Sequence, residues 1–166
     1  MLQRNINTAI TSSAGRLFDA IAAIIGLRQY SQFEGQAAME LEFAIAELNT
    51  DDCYSFEITT IANSPLIIDW MPTVQGVLAD LSCELSQGYI SAKFHNTLVE
   101  MMVVVAQQIG AEQVVLTGGC FQNKYLIERT IQRLTQESFH PYWHQQVPLH
   151  DGGIALGQIV AALRVI

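Results

Sequence analysis

Between residues 113 and 158 the chain twice runs from a short apolar strand through a glycine pair into a helix. Gln113–Leu116 reads as the first strand, Thr117-Gly118-Gly119-Cys120 as its turn, and about 123–136 as the helix that follows. A second strand over about 140–144 leads through the loop 145–153, which ends His150-Asp151-Gly152-Gly153, into a small-residue helix beginning at Ile154. Few arrangements accept this pattern: two α/β units sharing a sheet. If the strands are parallel, both glycine turns lie at their carboxyl ends. Open α/β sheets bind ligands on that edge.

The rest of the chain reads as helices around a hairpin. Residues 1–11 are polar and aperiodic and are expected to form a disordered leader, leaving 12–166 as one compact unit. Ser12 or Ser13 caps a first helix running to about Leu27, with Leu17, Ile21 and Ile24 on one face and Phe18 and Ile25 widening it. After the turn at Glu34-Gly35, a second helix over 36–48 turns Leu41, Ile45 and Leu48 inward. Residues 53–60 and 65–69 suggest a β-hairpin around Asn63-Ser64. Asp69 precedes a helix with Pro72 in its first turn. A long helix over 89–109 carries the stripe Ile90, Phe94, Leu98, Met101, Met102 and Val105, and Gly110 ends it.

Half of the residues are apolar and only 14% are charged, against about 25% in ordinary domains. Much of the surface is therefore expected to be covered by something else. A formal charge of −8 argues against a duplex-binding role, which needs a basic stripe. Cys53, Cys83 and Cys120 have no CxxC spacing and read as reduced, mostly buried thiols of a cytoplasmic protein. The first residues lack a signal-peptide core, and no apolar run approaches the ~18 residues that span a bilayer.

Three segments hold residues with chemical potential. In VVLTGGCFQN, Gly118 and Gly119 allow close backbone approach to a ligand, the helix start offers N–H groups to an anion, and Thr117 and Asn123 add side-chain hydrogen bonds. The alternative is a plain βα turn. Asp151, before two glycines at a helix mouth, suits either a metal or ligand hydroxyl, or a helix cap. In SSAGRLFDA, Gly15 and Asp19 lie off the apolar face. Asp19 then either accepts from a ribose diol or pairs with Arg16. None of the four histidines is read as paired with another on a helix, and His95, beside Phe94, reads as a hydrogen-bonded structural residue. Cys120 has no histidine at fixed local spacing to activate it. Glu84, Glu100 and the run Glu40, Glu42, Glu47 read as solvated faces.

In this order, TSSAGRLFDAIAAIIGL, FEGQAAMELE, PLIIDW, AKFHNTL, VVLTGGCFQN and VPLHDGGIALGQ resemble the C-terminal lobe of HypF-type carbamoyltransferases, over residues 11 to 163. The resemblance implies an α/β fold, one lobe of the two-lobed actin/Hsp70-like ATPases, with a small mixed sheet and flanking helices. That fold is shared with tRNA threonylcarbamoyladenosine synthases and antibiotic O-carbamoyltransferases. It further implies use of ATP and carbamoyl phosphate to make carbamoyl-adenylate. The carbamoyl group would pass to the C-terminal cysteine of the partner HypE, on the way to the cyanide ligands of nickel-iron hydrogenase. Carried over, Gly118, Gly119 and Asn123 would line the nucleotide, Gly15 and Asp19 would meet its ribose, Gly35 would sit near the adenine, and Asp151 would be a ligand of a divalent metal. The family's two metal-binding histidines belong to the preceding lobe, so the chain alone is expected to be half an active site and inactive. The alternatives are a non-catalytic lobe that docks on a partner or forms a homodimer, and a tRNA-modifying or O-carbamoylating relative.

Overall fold

A computed structural model of the chain describes residues 11–60 and 65–164. The expected leader falls almost entirely outside them, as does the turn at Asn63-Ser64. Helix α1 (Ala14–Ile24) starts where Ser13 Oγ accepts from the Arg16 amide at 3.4 Å. It stops short of Leu27 because the amides of Leu27 and Arg28 both turn back to the Ala22 carbonyl, at 2.9 and 3.2 Å. Its buried face is Phe18, Ile21, Ala22 and Ile25, with Leu17 and Ile24 on the flank. Helix α2 (Gln36–Ile45) buries Leu41 and Ile45 as expected but ends at Ala46, which takes a φ of 48°. Leu48 therefore leaves the helix and is 42% exposed.

Strands β1 (Glu57–Thr59) and β2 (Ile67–Asp69) pair antiparallel, Ile58 facing Ile68. The hairpin is real but three residues deep. Asp69 accepts from the Met71 amide at 2.8 Å and so opens helix α3 (Met71–Ser82), one residue ahead of the formal cap.

Helix α4 (Gln87–Ile109) is the axis of the molecule, capped by Ser86 and ended by Gly110. Ile90, Phe94 and Met101 of the expected stripe are buried, while Leu98, Met102 and Val105 are half-buried. One stripe does not describe this helix because α2, α3 and α5 pack around it. Its buried polar residues are all engaged. Ser91 Oγ donates to the Leu41 carbonyl at 2.6 Å, Asn96 Nδ2 to those of Thr50 and Asp52 at 2.8 and 3.0 Å, and Thr97 Oγ1 accepts from the Tyr54 amide at 2.8 Å. The Asn96 and Thr97 bonds hold the irregular segment before β1, whose backbone lacks a ladder of its own, and the Ser91 bond ties α4 to α2.

Strand β3 (Gln113–Leu116), helix α5 (Lys124–Gln136) and strand β4 (His140–Trp143) make the first α/β unit, and helix α6 (Ile154–Leu163) completes the second. The strands are parallel, Gln113 opposite His140 and Leu116 opposite Trp143. The mixed character of the sheet structure is divided between two two-stranded sheets, one antiparallel and one parallel. One core joins α1–α5 around Phe18, Leu41, Phe94 and Leu126; a second, around Val103, Leu116 and Leu134, seats β3 under α4 and α5. Helix α6 buries none of its residues, with Ile154, Ile159 and Leu163 each more than half exposed. Among the described residues no helix is long and apolar enough to cross a membrane.

Two expectations are corrected. Cys53 and Cys83 are exposed, one in the loop before β1 and one at the end of α3, and only Cys120 is half-buried. The glutamates are not all solvated: Glu40 takes Arg28 Nε at 2.7 Å, Glu100 takes Arg133 Nε at 2.6 Å, and Glu42 caps α5.

Candidate functional site

The parallel register brings both glycine turns to one edge, and a backbone bond joins them: the Gly118 amide donates to the Leu149 carbonyl at 2.8 Å. Gly118 has a φ of +110°, which an L side chain rarely adopts. The chain then makes a 3-10 turn over Gly119–Gln122 before α5. Gly119 is different: a Cβ there meets nothing nearer than 3.8 Å, so its role is open space rather than conformation. In the second turn, a Cβ on Gly153 would come within 2.8 Å of the Pro148 carbonyl, and the loop closes tightly because none is there.

A cavity of about 520 Å³ lies on this edge, and Gly15, Asp19, Gly35, Gly119 and Asp151 all line it. These residues come from α1, the start of α2 and the two turns, spread over more than 130 positions of sequence. A smaller recess of about 210 Å³ also touches Gly35 and Gly119 and reaches Glu42 and Asn123. Gly118 lines neither; it shapes the turn behind Gly119. Glu34, Cys120, Gln122 and His150, none of them assigned to a ligand from sequence, also line the main wall.

The hydrogen bonds separate the alternatives left open by sequence. Asp19 pairs with Arg16 at 2.9 Å, and both line the cavity. Asp151 does not cap a helix: His150 Nδ1 takes the Gly152 amide at 3.1 Å instead, and among the described residues no donor reaches the Asp151 carboxylate. The start of α5 offers no free N–H groups, contrary to expectation. Glu42 accepts from Lys124 and Tyr125 at 2.7 and 3.3 Å, and Asn123 Oδ1 accepts from Leu126 at 2.8 Å. The open donors are instead the amides of Gly119 and Cys120, which have no acceptor among the described residues.

Asn123 also donates through Nδ2 to His95 Nε2, at 2.9 Å. His95 is fully buried, and that burial pushes its pKa down to about 4, so the ring is neutral. Burial pushes the Cys120 thiol up, away from the reactive thiolate. The reading that no histidine pair has HxxxH spacing is corrected: HPYWH sets His140 and His144 four residues apart, but β4 is extended over His140–Trp143, and residues so spaced on a strand stand about 13 Å apart. No group of three or more His, Cys, Asp or Glu residues is placed to hold a metal among the described residues. Among the described residues Asp151 stands alone, one possible ligand of the roughly three that a catalytic site uses.

The family described as carbamoyltransferase, Kae1-like domain, second subdomain, matches residues 1–158. Carbamoyltransferase HypF of Synechocystis sp. is 41% identical over 93% of the chain, which corresponds to 20% of that protein. The crystal structure of full-length HypF in the phosphate- and nucleotide-bound form superposes with a TM-score of 0.87 at 43% identity, covering 98% of this chain and 22% of that one. HypF of T. kodakarensis superposes at 0.77, with 26% identity over 98% of this chain and 21% of its own. The chain thus spans about a fifth of the length of the relatives it matches. It belongs to the HypF carbamoyltransferase family, as the second subdomain of the Kae1-like domain.

Proposed function

We propose that this chain forms one wall of the nucleotide site of a HypF-type carbamoyltransferase. The observation that carries the reading is the convergence of Gly15, Asp19, Gly35, Gly119 and Asp151 on one cavity, with a volume in the range of small-molecule sites. The ligand is ATP, or the carbamoyl-adenylate made from it and carbamoyl phosphate. The bare amides of Gly119 and Cys120 suit a phosphoryl oxygen, Gly15 suits the ribose together with Asp19, which exchanges its exposed Arg16 partner for a ribose hydroxyl when the ligand enters, and Gly35 suits the base. That a relative of TM-score 0.87 is described in a phosphate- and nucleotide-bound form supports the assignment.

Asp151 contributes one ligand to a divalent cation whose other ligands come from elsewhere in the longer protein. That cation would neutralise phosphate charge when bound. The carbamoyl group then passes to the thiol sulfur of the C-terminal cysteine of HypE, in the cytoplasm, the new carbon–sulfur bond replacing the bond to the AMP phosphate, so that AMP leaves and the thiol gives up its proton. The exposed apolar surface of α6, with Val115 and Tyr142 of the parallel sheet exposed as well, is where the preceding polypeptide of the longer protein packs. Such a surface also favours a second reading, that the chain alone is a docking or dimerising module.

Asp151→Ala in the full-length protein tests the assignment. Because the side chain is exposed and makes no bond to a described residue, melting should be unchanged. Carbamoyl transfer to HypE should fall by at least about 100-fold, more than the loss of a group that only orients a metal ligand. Transfer at the wild-type rate would exclude the role.

A further inference from the structure

One buried polar chain runs from α4 to the first glycine turn and touches α1 and α2, three of the four elements that build the cavity. His95 is 0% exposed. Its Nδ1 lies 2.8 Å from the Ser91 carbonyl, which can only accept, so Nδ1 carries the proton. In a neutral ring Nε2 then accepts. The Asn123 amide must therefore turn its NH2 toward His95, at 2.9 Å, leaving Oδ1 for the Leu126 amide. The Asn123 backbone N–H closes the 3-10 turn onto the Cys120 carbonyl at 3.2 Å. The ring tautomer thus fixes the side-chain amide, and the backbone bond ties the same residue to the turn.

The same ring meets α1 directly and α2 through Ser91. Phe18, the neighbour of Asp19 on α1, packs edge-on against it with centroids 5.3 Å apart. Ser91, whose carbonyl it binds, donates from Oγ to Leu41 on α2, the helix that Gly35 starts. An apolar side chain of this volume would fill the space without burying polar atoms. A polar ring with ordered bonds on both nitrogens instead specifies one orientation of its partners.

We infer that His95 is a positioning residue for the ligand cavity: by accepting at Nε2 it fixes the Asn123 amide and, through it, the Gly119–Asn123 turn. The inference rests on the nucleotide reading only for its consequence in binding; the geometry stands apart from it.

The test uses this chain in three forms: wild type, His95→Leu, which removes both polar atoms, and His95→Gln, which keeps a donor and an acceptor. Ring 15N resonances of the wild type should show Nδ1 protonated and Nε2 bare. In His95→Leu the amide resonances of Gly119 to Asn123 should shift or split while those of α3 stay in place, and His95→Gln should restore them. Titrated with Mg²⁺ and ATP, His95→Leu should bind about tenfold more weakly at a temperature where circular dichroism shows it folded, with recovery in His95→Gln. A proton on Nε2, or unmoved Gly119–Asn123 resonances in folded His95→Leu, would overturn the inference. If His95→Leu does not fold, the wild-type ring pattern and the His95→Gln spectrum decide it. Absence of ATP binding by the wild type would count against the nucleotide reading alone, with the resonances still deciding the role of His95.

Discussion

Asn123 and Glu42 cap the same helix, yet only one of them is legible in sequence. Asn123 stands immediately before α5, where local rules allow a capping residue, although the sequence reading gave its side chain to a ligand and placed it inside the helix. Glu42 reaches α5 from 82 positions away, and no local signal records such a contact. Asp151 shows the limit in another form. Its type and place suit a cap or a ligand equally, and only the His150 ring, which takes the capping bond, separates the two. His95 was legible as a structural histidine from its place beside Phe94, but its partner Asn123 was not. A titration follows from that burial. The folded pKa of about 4 lies below the ordinary value near 6.5, so between these values the unfolded chain binds a proton that the folded chain refuses. The stability contributed by neutral His95 is complete above pH 6.5 and is lost as pH falls toward 4, by up to about 3 kcal/mol. Urea unfolding at pH 7 and pH 4.5 should show this loss in the wild type, with a much smaller loss in His95→Gln. Equal losses in both would assign the acid sensitivity elsewhere. Glu40, held down by its bond to Arg28, and Asp52, held down by Tyr89, lose their contributions lower, as the carboxylates themselves protonate.

At the scale of elements, the helices were legible in kind and position, because capping serines and apolar periodicity are local. Their ends were less so. Helix α2 was expected to reach residue 48 but ends at Ile45, with Ala46 at a φ of 48°, beside the place where α2 and α4 cross so closely that a Cβ on Gly88 would sit 2.3 Å from the Ala44 carbonyl. Periodicity cannot record a crossing. Gly88→Ala should therefore destabilise the domain by about 1–3 kcal/mol, as overpacking does, although alanine is the better helix former. Denaturant midpoints measure it, and a stabilised variant would contradict the close crossing. The strand–glycine–helix repeat was readable because short apolar runs bounded by glycines leave few alternatives, but its parallel pairing stood only as a condition, which the register meets. The inward stripe of α4 was readable only in part, because a helix packed on several sides has no single face.

For the molecule as a whole, low charge and high apolar content foretold an uncovered surface, and α6 presents it. Of the candidate site, the sequence separately marked two turns, one helix start and one glycine loop; their meeting in a single cavity is a property of the fold. Resemblance over the length of the chain joined them before the geometry did. The central claim is that this meeting place holds a nucleotide, and calorimetric titration of the chain with ATP and Mg²⁺ tests it most directly when Gly119→Asp is titrated beside the wild type. The position has room for a side chain, so the variant should fold and differ mainly by a negative charge on the wall. The account predicts wild-type binding of about millimolar strength or tighter and at least a tenfold loss, about 1.4 kcal/mol, in Gly119→Asp. No binding by the wild type, or equal binding by both, would contradict it and leave the apolar docking surface as the better description of what this chain does.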